Sequence, residues 1–440
     1  MTKIKRRSAV LLAVILLLAA GMGVFLFRYF RDGRKWASFS ANQTAYTEGK
    51  LKHGEITDRN GEVLLTMEDG TYRYSGDEAT RLSTLHAVGD RYGNIGTGAN
   101  VVYREYLTGY DRVNGLYRAD RTGAVSLSID AGLNRTAWRA LSGRKGTVAV
   151  CDCDTGEIIC MVSSPSYDPE SPPDSFDTPE YEGVYINRFL SSAYTPGSIY
   201  KLITAAAALE TLPDALDRTW YCDGYHEIGS DGVTCMGVHG DVTLRQALAV
   251  SCNCAFAQIA LDVGSRTIEE YARRFSLTGS VAVDGVPTAA GRYTVSEEKL
   301  NAAWSGVGQY EDTVCPAAML RLMTAVANGG TAAELTLLKG GSNPAHDRLL
   351  AEETAQTLAE LMHNDVVSSY GESLFPGITA YAKSGTAEVG GGLSPHAWFV
   401  GYGEKDGRTL AFVVLVENGG YGSSAAGSVA AEVLTAAFGG

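Results

Sequence analysis

The sequence lacks an excess of basic residues. Acidic residues outnumber basic ones by 50 to 37, and the formal net charge of the 440-residue chain is −13. A general nucleic-acid binder must neutralise phosphates with lysine and arginine, so no nucleic-acid partner is expected. Internal repeats and low-complexity linkers are missing as well. With 45% hydrophobic and 20% charged residues, the composition is that of an ordinary globular protein of two or three domains.

The cysteine spacings typical of zinc sites are also missing. Among eight cysteines, the closest pairs are Cys151 with Cys153 and Cys252 with Cys254, each separated by one residue. Zinc ligands in short loops are usually separated by about two to four residues. His226 precedes a glutamate but lacks the second histidine of a metalloprotease helix. The sequence therefore predicts no metal and no cofactor.

One long apolar run is present near the N-terminus. Residues 9–27 are 19 consecutive uncharged, mostly apolar residues, preceded by four basic residues and followed by Arg28. Such a run is long enough to span a bilayer. A cleavable signal peptide is the alternative, but its apolar core is usually about 7–15 residues long. We therefore predict a cytoplasmic tail and a single-pass anchor in the cell membrane over residues 1–28, with the rest of the chain outside the cytoplasm.

Beyond this anchor, the hydrophobic pattern divides the chain near residue 124. Residues 29–123 are polar and rich in glycine and tyrosine, and they predict a small, loop-rich region that contains β-strands. Residues 124–440 predict an α+β domain in which strands near both ends share one sheet and helices fill the middle. The predicted strands lie at residues 125–129, 146–151, 157–162, 380–387, 397–402 and 410–416, and the predicted helices include residues 132–141, 204–209, 316–327 and 425–438.

Ser198 and Lys201 form an S-x-x-K pattern, which places a hydroxyl and an amine about one helical turn apart. The same pattern occurs at residues 142–145 and 296–299, where charged neighbours indicate solvated helix faces. Only Ser198 follows a Pro-Gly pair and precedes an apolar helical stripe, which predicts a helix that begins at this serine. Because the amides and dipole of a helix N-terminus stabilise a developing oxyanion, Ser198 is the candidate site serine.

Ser251 and Asn253 form an S-x-N pattern between two predicted helical runs, residues 243–250 and 255–263. Residues 40–42 match the same pattern, so it is weak evidence by itself. A polar junction that breaks a helix explains it equally well.

The third pattern, in a predicted strand, consists of Lys383, Ser384, Gly385 and Thr386. Gly385 is expected to let a substrate backbone approach the strand edge closely. The alternative is a cationic residue of an edge strand beside a bulge, which is common in sheets.

In this order, S-x-x-K, S-x-N and K-[ST]-G resemble the motifs of penicillin-binding proteins and serine β-lactamases. The resemblance implies their fold, an antiparallel sheet flanked by helices with an added helical subdomain. It covers residues 124–440 and includes the segments at residues 145–150, 155–158, 164–169, 306–309 and 327–330.

Residues 53–61 resemble the R-G-x-I-x-D-R-N-G segment of class B, monofunctional penicillin-binding proteins, with His53 in place of the usual arginine. A tight turn at Asn60-Gly61 within a hairpin is compatible with this resemblance. Residues 29–123 then correspond to a pedestal or dimerisation-like region, which is too short for the glycosyltransferase domain of class A relatives.

The resemblance implies a peptidoglycan D,D-transpeptidase that cross-links stem peptides through a serine acyl-enzyme and is acylated by β-lactams. It also implies a partner of the SEDS glycosyltransferase type among the membrane proteins of wall synthesis. The implied general base, Lys201, requires a pKa lowered by burial or by a nearby cation such as Lys383. The other implied roles are nucleophile (Ser198), proton relay (Ser251), amide binding (Asn253), carboxylate binding (Ser384 and Thr386) and an oxyanion hole formed by the backbone N–H groups of Ser198 and Thr386.

Three other functions share these motifs. A β-lactamase or a D,D-carboxypeptidase uses the same residues, although the retained anchor and the N-terminal region argue against a β-lactamase. A catalytically silent wall-complex scaffold or β-lactam sensor is the alternative from a different class. The intact hydroxyl, amine and carboxylate-binding positions argue against silence.

Cys222 and Cys235 bracket a glycine-rich segment that predicts a hairpin with its ends close together. If the exterior of the host is oxidising, we expect a disulfide between them, whose closed loop would stabilise the fold by about 3 kcal/mol. Buried free thiols are the alternative.

Overall fold

The computed structural model describes residues 2–37, 53–68, 71–111, 116–117, 123–341 and 347–439. The first element, helix α1 (Thr2–Ala37), contains the long apolar run. Its segment Lys5–Arg31 is 27 residues long, reaches a mean hydropathy of 2.9 and is not buried against the described protein. At about 1.5 Å per residue, this segment is longer than the roughly 30 Å hydrocarbon core of a bilayer. Among the described residues, it is the one helix long and apolar enough to cross a membrane.

The N-terminal region contains the predicted strands but also a helix that was not predicted. Asp77 caps the N-terminus of this helix, Glu78–Val88, because its carboxylate accepts a hydrogen bond from the Thr80 N–H group at 2.9 Å. Much of its buried face consists of Thr80, Ser83 and Thr84, so no hydrophobic stripe marks it in the sequence. The elements are β1 (Ile56–Thr57), β2 (Val63–Glu68), β3 (Thr71–Tyr74), α2 (Glu78–Val88), α3 (Ala99–Val102), α4 (Arg104–Thr108), β4 (Tyr110–Asp111) and β5 (Leu116–Tyr117).

A shared sheet joins this region to the rest of the chain. Strand β1 pairs with β6 (Val125–Ser126) in parallel, which gives the order β3-β2-β1-β6. A strand was predicted at residues 125–129, but β6 ends at Ser126, because the Ser128 N–H group donates to the Leu337 carbonyl instead of to β1. The buried Asp58 carboxylate accepts from the Asn60 and Ala131 N–H groups at 2.8 and 3.1 Å, so the segment at residues 53–61 fastens the two regions together.

The middle of the chain is helical, as its alanine- and leucine-rich sequence predicts. Short two-stranded sheets connect these helices. Between residues 131 and 365, the elements are α5 (Ala131–Leu141), β7 (Gly146–Asp152), β8 (Ile158–Ser164), α6 (Lys201–Thr211), β9 (Thr219–Cys222), β10 (Tyr225–Ile228), β11 (Asp231–Thr234), β12 (Gly240–Thr243), α7 (Leu244–Ala249), α8 (Asn253–Val263), α9 (Ser265–Arg274), β13 (Ala282–Val283), β14 (Val286–Pro287), α10 (Lys299–Val307), α11 (Pro316–Ala327), β15 (Thr331–Ala332), β16 (Asp347–Arg348) and α12 (Glu352–Asp365).

The prediction that strands from both ends share one sheet is confirmed. Strands β17 (Thr379–Ala387), β18 (His396–Lys405) and β19 (Arg408–Val416) join β7 and β8 in the antiparallel order β17-β18-β19-β7-β8, and helix α13 (Gly422–Gly439) follows. Side chains of these strands enter two cores, one shared with α5 and α13 and the other with the helical middle. Strand β17 is therefore an edge strand beside the N-terminal end of α6.

Candidate active site

Ser198 lies in a 3-10 turn (Gly197–Tyr200) that continues directly into α6, as the preceding Pro-Gly pair predicts. Gly197 has a positive φ of 56°, and a Cβ atom there would lie 2.6 Å from the Thr386 carbonyl oxygen. Its N–H group donates to the Gly308 carbonyl at 2.8 Å. Only glycine allows this close approach, so the turn that carries Ser198 is packed directly against β17.

Lys201 is completely buried one turn after Ser198. Its Nζ atom donates to the Ser251 carbonyl at 2.6 Å, to Ser251 Oγ at 3.1 Å and to Asn253 Oδ1 at 2.8 Å. The S-x-N pattern lies between α7 and α8, and Ser251 adopts a left-handed φ of 52° there. The S-x-x-K and S-x-N motifs thus meet through three hydrogen bonds that Lys201 Nζ donates.

Burial, together with the nearby Lys383 cation, lowers the pKa of Lys201 to about 7. Burial disfavours the charged form of the amine, and a second positive charge acts in the same direction. A substantial fraction of Lys201 is therefore neutral at neutral pH. A neutral amine in this position can accept a proton from a hydroxyl group.

Lys383 is also completely buried, but acceptors surround it. Its Nζ atom lies 3.6 Å from Asp365 Oδ2 and 3.4 Å from the Tyr370 hydroxyl. Burial opposes its charge, yet Tyr370 and Asp365 outweigh this effect and raise the pKa of Lys383, which stays cationic. Sequence reasoning missed Asp365 and Tyr370. The available signal was a carboxylate on the same face of α12 as Leu361 and Met362.

The remaining residues of the third motif line the edge of β17. The Tyr370 hydroxyl donates to Ser384 Oγ at 3.0 Å, and Thr386 Oγ1 accepts from the Gly422 N–H group at 3.2 Å. The expectation that Gly385 makes room for a substrate backbone stays a prediction. A Cβ atom at Gly385 would lie 2.8 Å from the Pro196 carbonyl oxygen, so the glycine makes room for the turn before Ser198.

A cleft of about 660 Å³ opens above the two buried lysines. Polar residues of all three motifs line it, and Trp304, Tyr421 and Met236 add apolar surface. The motif residues in its lining are Ser198, Ser251, Asn253, Ser384 and Thr386.

Comparisons with known proteins agree with this geometry. Residues 146–436 match the family model described as the penicillin binding protein transpeptidase domain. The chain belongs to the penicillin-binding protein transpeptidase family. Peptidoglycan D,D-transpeptidase PbpA of Mycolicibacterium smegmatis is 27% identical, over 98% of this chain and 96% of the relative.

Solved structures of the same family share the fold. Penicillin-binding protein A from M. tuberculosis, as a ceftriaxone acyl-enzyme complex, superposes with a TM-score of 0.78 at 24% identity, over 89% of this chain and 99% of that chain. Its penicillin G acyl-enzyme complex gives a TM-score of 0.75 at 25% identity, over 88% and 99%. The resemblance to class B penicillin-binding proteins inferred from the sequence is confirmed.

The predicted disulfide of this penicillin-binding protein is absent. Cys222 and Cys235, both within the described residues, are free thiols, although the predicted hairpin between them forms from β10 and β11. Cys222 Sγ instead lies 3.5 Å from His239 Nδ1, and Cys235 Sγ lies 3.8 Å from Cys252 Sγ. A disulfide requires a sulfur–sulfur separation of about 2.05 Å, whereas both thiols lie beside His239, whose Nδ1 atom is 3.6 Å from Cys235 Sγ.

Proposed function

We propose that this penicillin-binding protein is a peptidoglycan D,D-transpeptidase that forms a serine acyl-enzyme and is acylated by β-lactams. The observation that carries the proposal is the buried Lys201 amine, with a pKa near 7, one turn after Ser198 and hydrogen-bonded to Ser251 and Asn253. This arrangement supplies a base for the half-buried Ser198 hydroxyl, which lines a cleft of about 660 Å³.

Acylation begins when Ser198 Oγ attacks the carbonyl between the two terminal D-alanines of a stem peptide. Lys201 takes the hydroxyl proton, and the backbone N–H groups of Ser198 and Thr386 stabilise the oxyanion. As the tetrahedral intermediate collapses, the C–N bond breaks and the proton passes through Ser251 to the leaving D-alanine amine. The product is a Ser198 ester and free D-alanine.

The acceptor amine of a neighbouring strand then attacks the ester. Lys201 removes its proton, and Ser198 leaves with a proton returned from Lys201. Asn253 holds the amide of the donor peptide. The hydroxyls of Ser384 and Thr386 bind the terminal carboxylate, while Lys383 supplies positive charge from below the floor of the cleft.

In this proposal, Lys5–Arg31 spans the cell membrane once and the cleft lies outside the cytoplasm, where peptidoglycan is found. Residues 29–123 act as a pedestal, and residues 124–440 form the catalytic domain. A SEDS-type glycosyltransferase, contacted through the span and the pedestal, supplies the glycan strands. Pull-down from membranes should recover it, whereas strand polymerisation by the purified chain alone would contradict this partnership.

The activity is tested with the full chain in detergent, supplied with nascent strands made by a separate polymerase. We expect cross-linked muropeptides from the wild type, none from Ser198→Ala, and none after penicillin treatment. Release of D-alanine without cross-links would instead identify a carboxypeptidase. Turnover of penicillin without a lasting adduct would identify a β-lactamase.

A further inference from the structure

Four potential metal ligands converge beside the cleft. Cys222 ends β9, Cys235 follows β11, His239 precedes β12 and Cys252 precedes α8. Their three Sγ atoms and one imidazole nitrogen all lie within 4.8 Å of one another. Within the described parts of the chain, no other group of three or more such side chains comes this close together.

Three of the six distances between these atoms match a tetrahedral zinc site, and the remaining three are no longer than 4.8 Å. Zinc binds sulfur at about 2.3 Å and nitrogen at about 2.0 Å, so tetrahedral ligands lie about 3.8 Å apart for two sulfurs and about 3.5 Å apart for sulfur and nitrogen. Cys235 Sγ and Cys252 Sγ are separated by 3.8 Å. His239 Nδ1 lies 3.5 Å from Cys222 Sγ and 3.6 Å from Cys235 Sγ.

The surroundings also suit metal-bound thiolates. The Asn253 N–H group donates to Cys235 Sγ at 3.3 Å, and the Ala255 N–H group donates to Cys252 Sγ at 3.4 Å. Both amides belong to the first turn of α8, an 11-residue helix whose N-terminus favours negative charge. Such outer hydrogen bonds orient ligands and stabilise the charge of metal-bound sulfur.

We propose that Cys222, Cys235, His239 and Cys252 bind one zinc ion, which positions the S-x-N motif of the active site. Three thiolates and an imidazole select zinc over magnesium or calcium, which prefer oxygen ligands. Four protein ligands leave no open coordination position, so the ion is structural rather than a reaction partner. The sequence prediction of no metal considered only cysteine pairs and a metalloprotease helix. Cys235 and His239 are separated by three residues, but the gaps to Cys222 and Cys252 are each 12 residues long.

The positioning role follows from Cys252, the middle residue of the S-x-N motif. Its neighbours Ser251 and Asn253 hold Lys201, and the Asn253 side-chain amide also donates to the Thr234 carbonyl at 3.0 Å. A metal bond at Cys252 fixes the left-handed backbone at Ser251 against strands β9 to β12. This part of the inference rests on the proposed function, whereas metal binding itself does not.

Metal content gives the first test. In the full chain, purified in detergent under reducing conditions, elemental mass spectrometry should measure about one zinc ion per molecule. His239→Ala and Cys252→Ser should retain less than a tenth of this amount. The matched controls, Cys254→Ser and His226→Ala, alter a buried thiol and a histidine of β10 that are not among the four ligands, and they should keep their zinc.

Cobalt replacement of the wild type keeps the test independent of variants that fail to fold. Chelated protein reloaded with Co²⁺ should show the visible bands of a tetrahedral ion and sulfur-to-metal charge transfer. Wild-type protein that lacks zinc and gives no such bands overturns the site, and a zinc content unchanged in both ligand variants overturns the ligand set.

Penicillin acylation tests the positioning role. Removal of zinc from the wild type should slow acylation by about 10- to 100-fold, the effect usual for loss of a supporting contact, and added zinc should restore the rate. An unchanged rate in the metal-free protein would overturn the positioning role. If even the zinc-loaded protein is not acylated, the proposed function fails while the metal measurement still stands.

Discussion

Two regions of this penicillin-binding protein carry the same S-x-x-K pattern in opposite surroundings. At residues 198–201, the serine begins a helix that enters the core, and Lys201 is completely buried. At residues 142–145, Ser142 is exposed where α5 ends, and Lys145 makes an ion pair at 2.6 Å with the largely exposed Glu182.

The spacing of serine and lysine is identical in the two regions, so it cannot define the site. Burial separates them, because it lowers the pKa of Lys201, whereas Lys145 lies beside a solvated carboxylate. Contacts from distant motifs complete the difference, since Ser251 and Asn253 bind Lys201 from more than 49 residues away in sequence. The tertiary surroundings of Lys201 thus make it the candidate general base.

The largest contrast should appear when each serine is replaced. Wild-type chain incubated with penicillin should gain the mass of one drug molecule, and peptide mapping should place it at Ser198. Ser198→Ala should lose the adduct completely because the nucleophile is gone. Ser142→Ala, the matched control, should be acylated at the wild-type rate. An adduct that maps to Ser142 or Ser296 would show that the site is assigned wrongly.

Replacement of the two lysines should give the next largest difference. Lys201→Ala should slow acylation by about 10²- to 10⁴-fold, the usual contribution of a general base, while Ser198 remains in place. Lys145→Ala should leave the rate unchanged, since it removes only a surface ion pair. The acylation rate constants are measured by stopping the reaction with a fluorescent penicillin at successive times and quantifying the labelled protein. Equal effects of the two substitutions would remove Lys201 from the mechanism.

The two ion pairs of Lys383 and Lys145 should differ in the same way. Asp365→Asn leaves the completely buried Lys383 without its carboxylate partner, and the loss of one partner from a buried pair destabilises by about 3 kcal/mol or more. Glu182→Gln removes the partner of Lys145 at the surface and should leave the thermal unfolding midpoint unchanged. Similar midpoints for both variants would mean that Asp365 does not stabilise the Lys383 cation.

The pH dependence of acylation should report the pKa of Lys201. Because burial lowers this pKa to about 7, the amine is mostly protonated below pH 7 and cannot accept the Ser198 proton. The rate should therefore fall about tenfold per pH unit below 7 and level off above it. The Lys383 cation lowers this pKa, whereas Cys235, Cys252 and Asp365 raise it, and burial raises the pKa of Asp365 itself to about 7. A profile still rising steeply above pH 9 would show that Lys201 keeps an ordinary pKa.

The same comparison explains how much the sequence could predict. Strands β7, β8 and β17 to β19 and the helix that begins near Ser198 follow from local hydrophobic periods and a Pro-Gly pair, and their predicted positions are confirmed. The convergence of Ser251 and Lys383 on Lys201 came only from the resemblance to a family. Asp365 and the thiol cluster around Cys252 were missed, because each depends on contacts between distant segments that no local spacing records.

The smallest effect concerns the backbone of the two serines. Ser142 ends α5 in the left-handed conformation, with φ 51° and ψ 47°. This conformation costs a residue with a Cβ atom about 1 kcal/mol, and glycine avoids most of that cost while its unfolded state gains entropy. Ser142→Gly should therefore stabilise the full chain by about 0.5 kcal/mol and leave acylation intact. Ser198→Gly, in a right-handed turn, should lower the thermal midpoint instead. Shifts of the same sign at both positions would show that the local backbone does not distinguish the two regions.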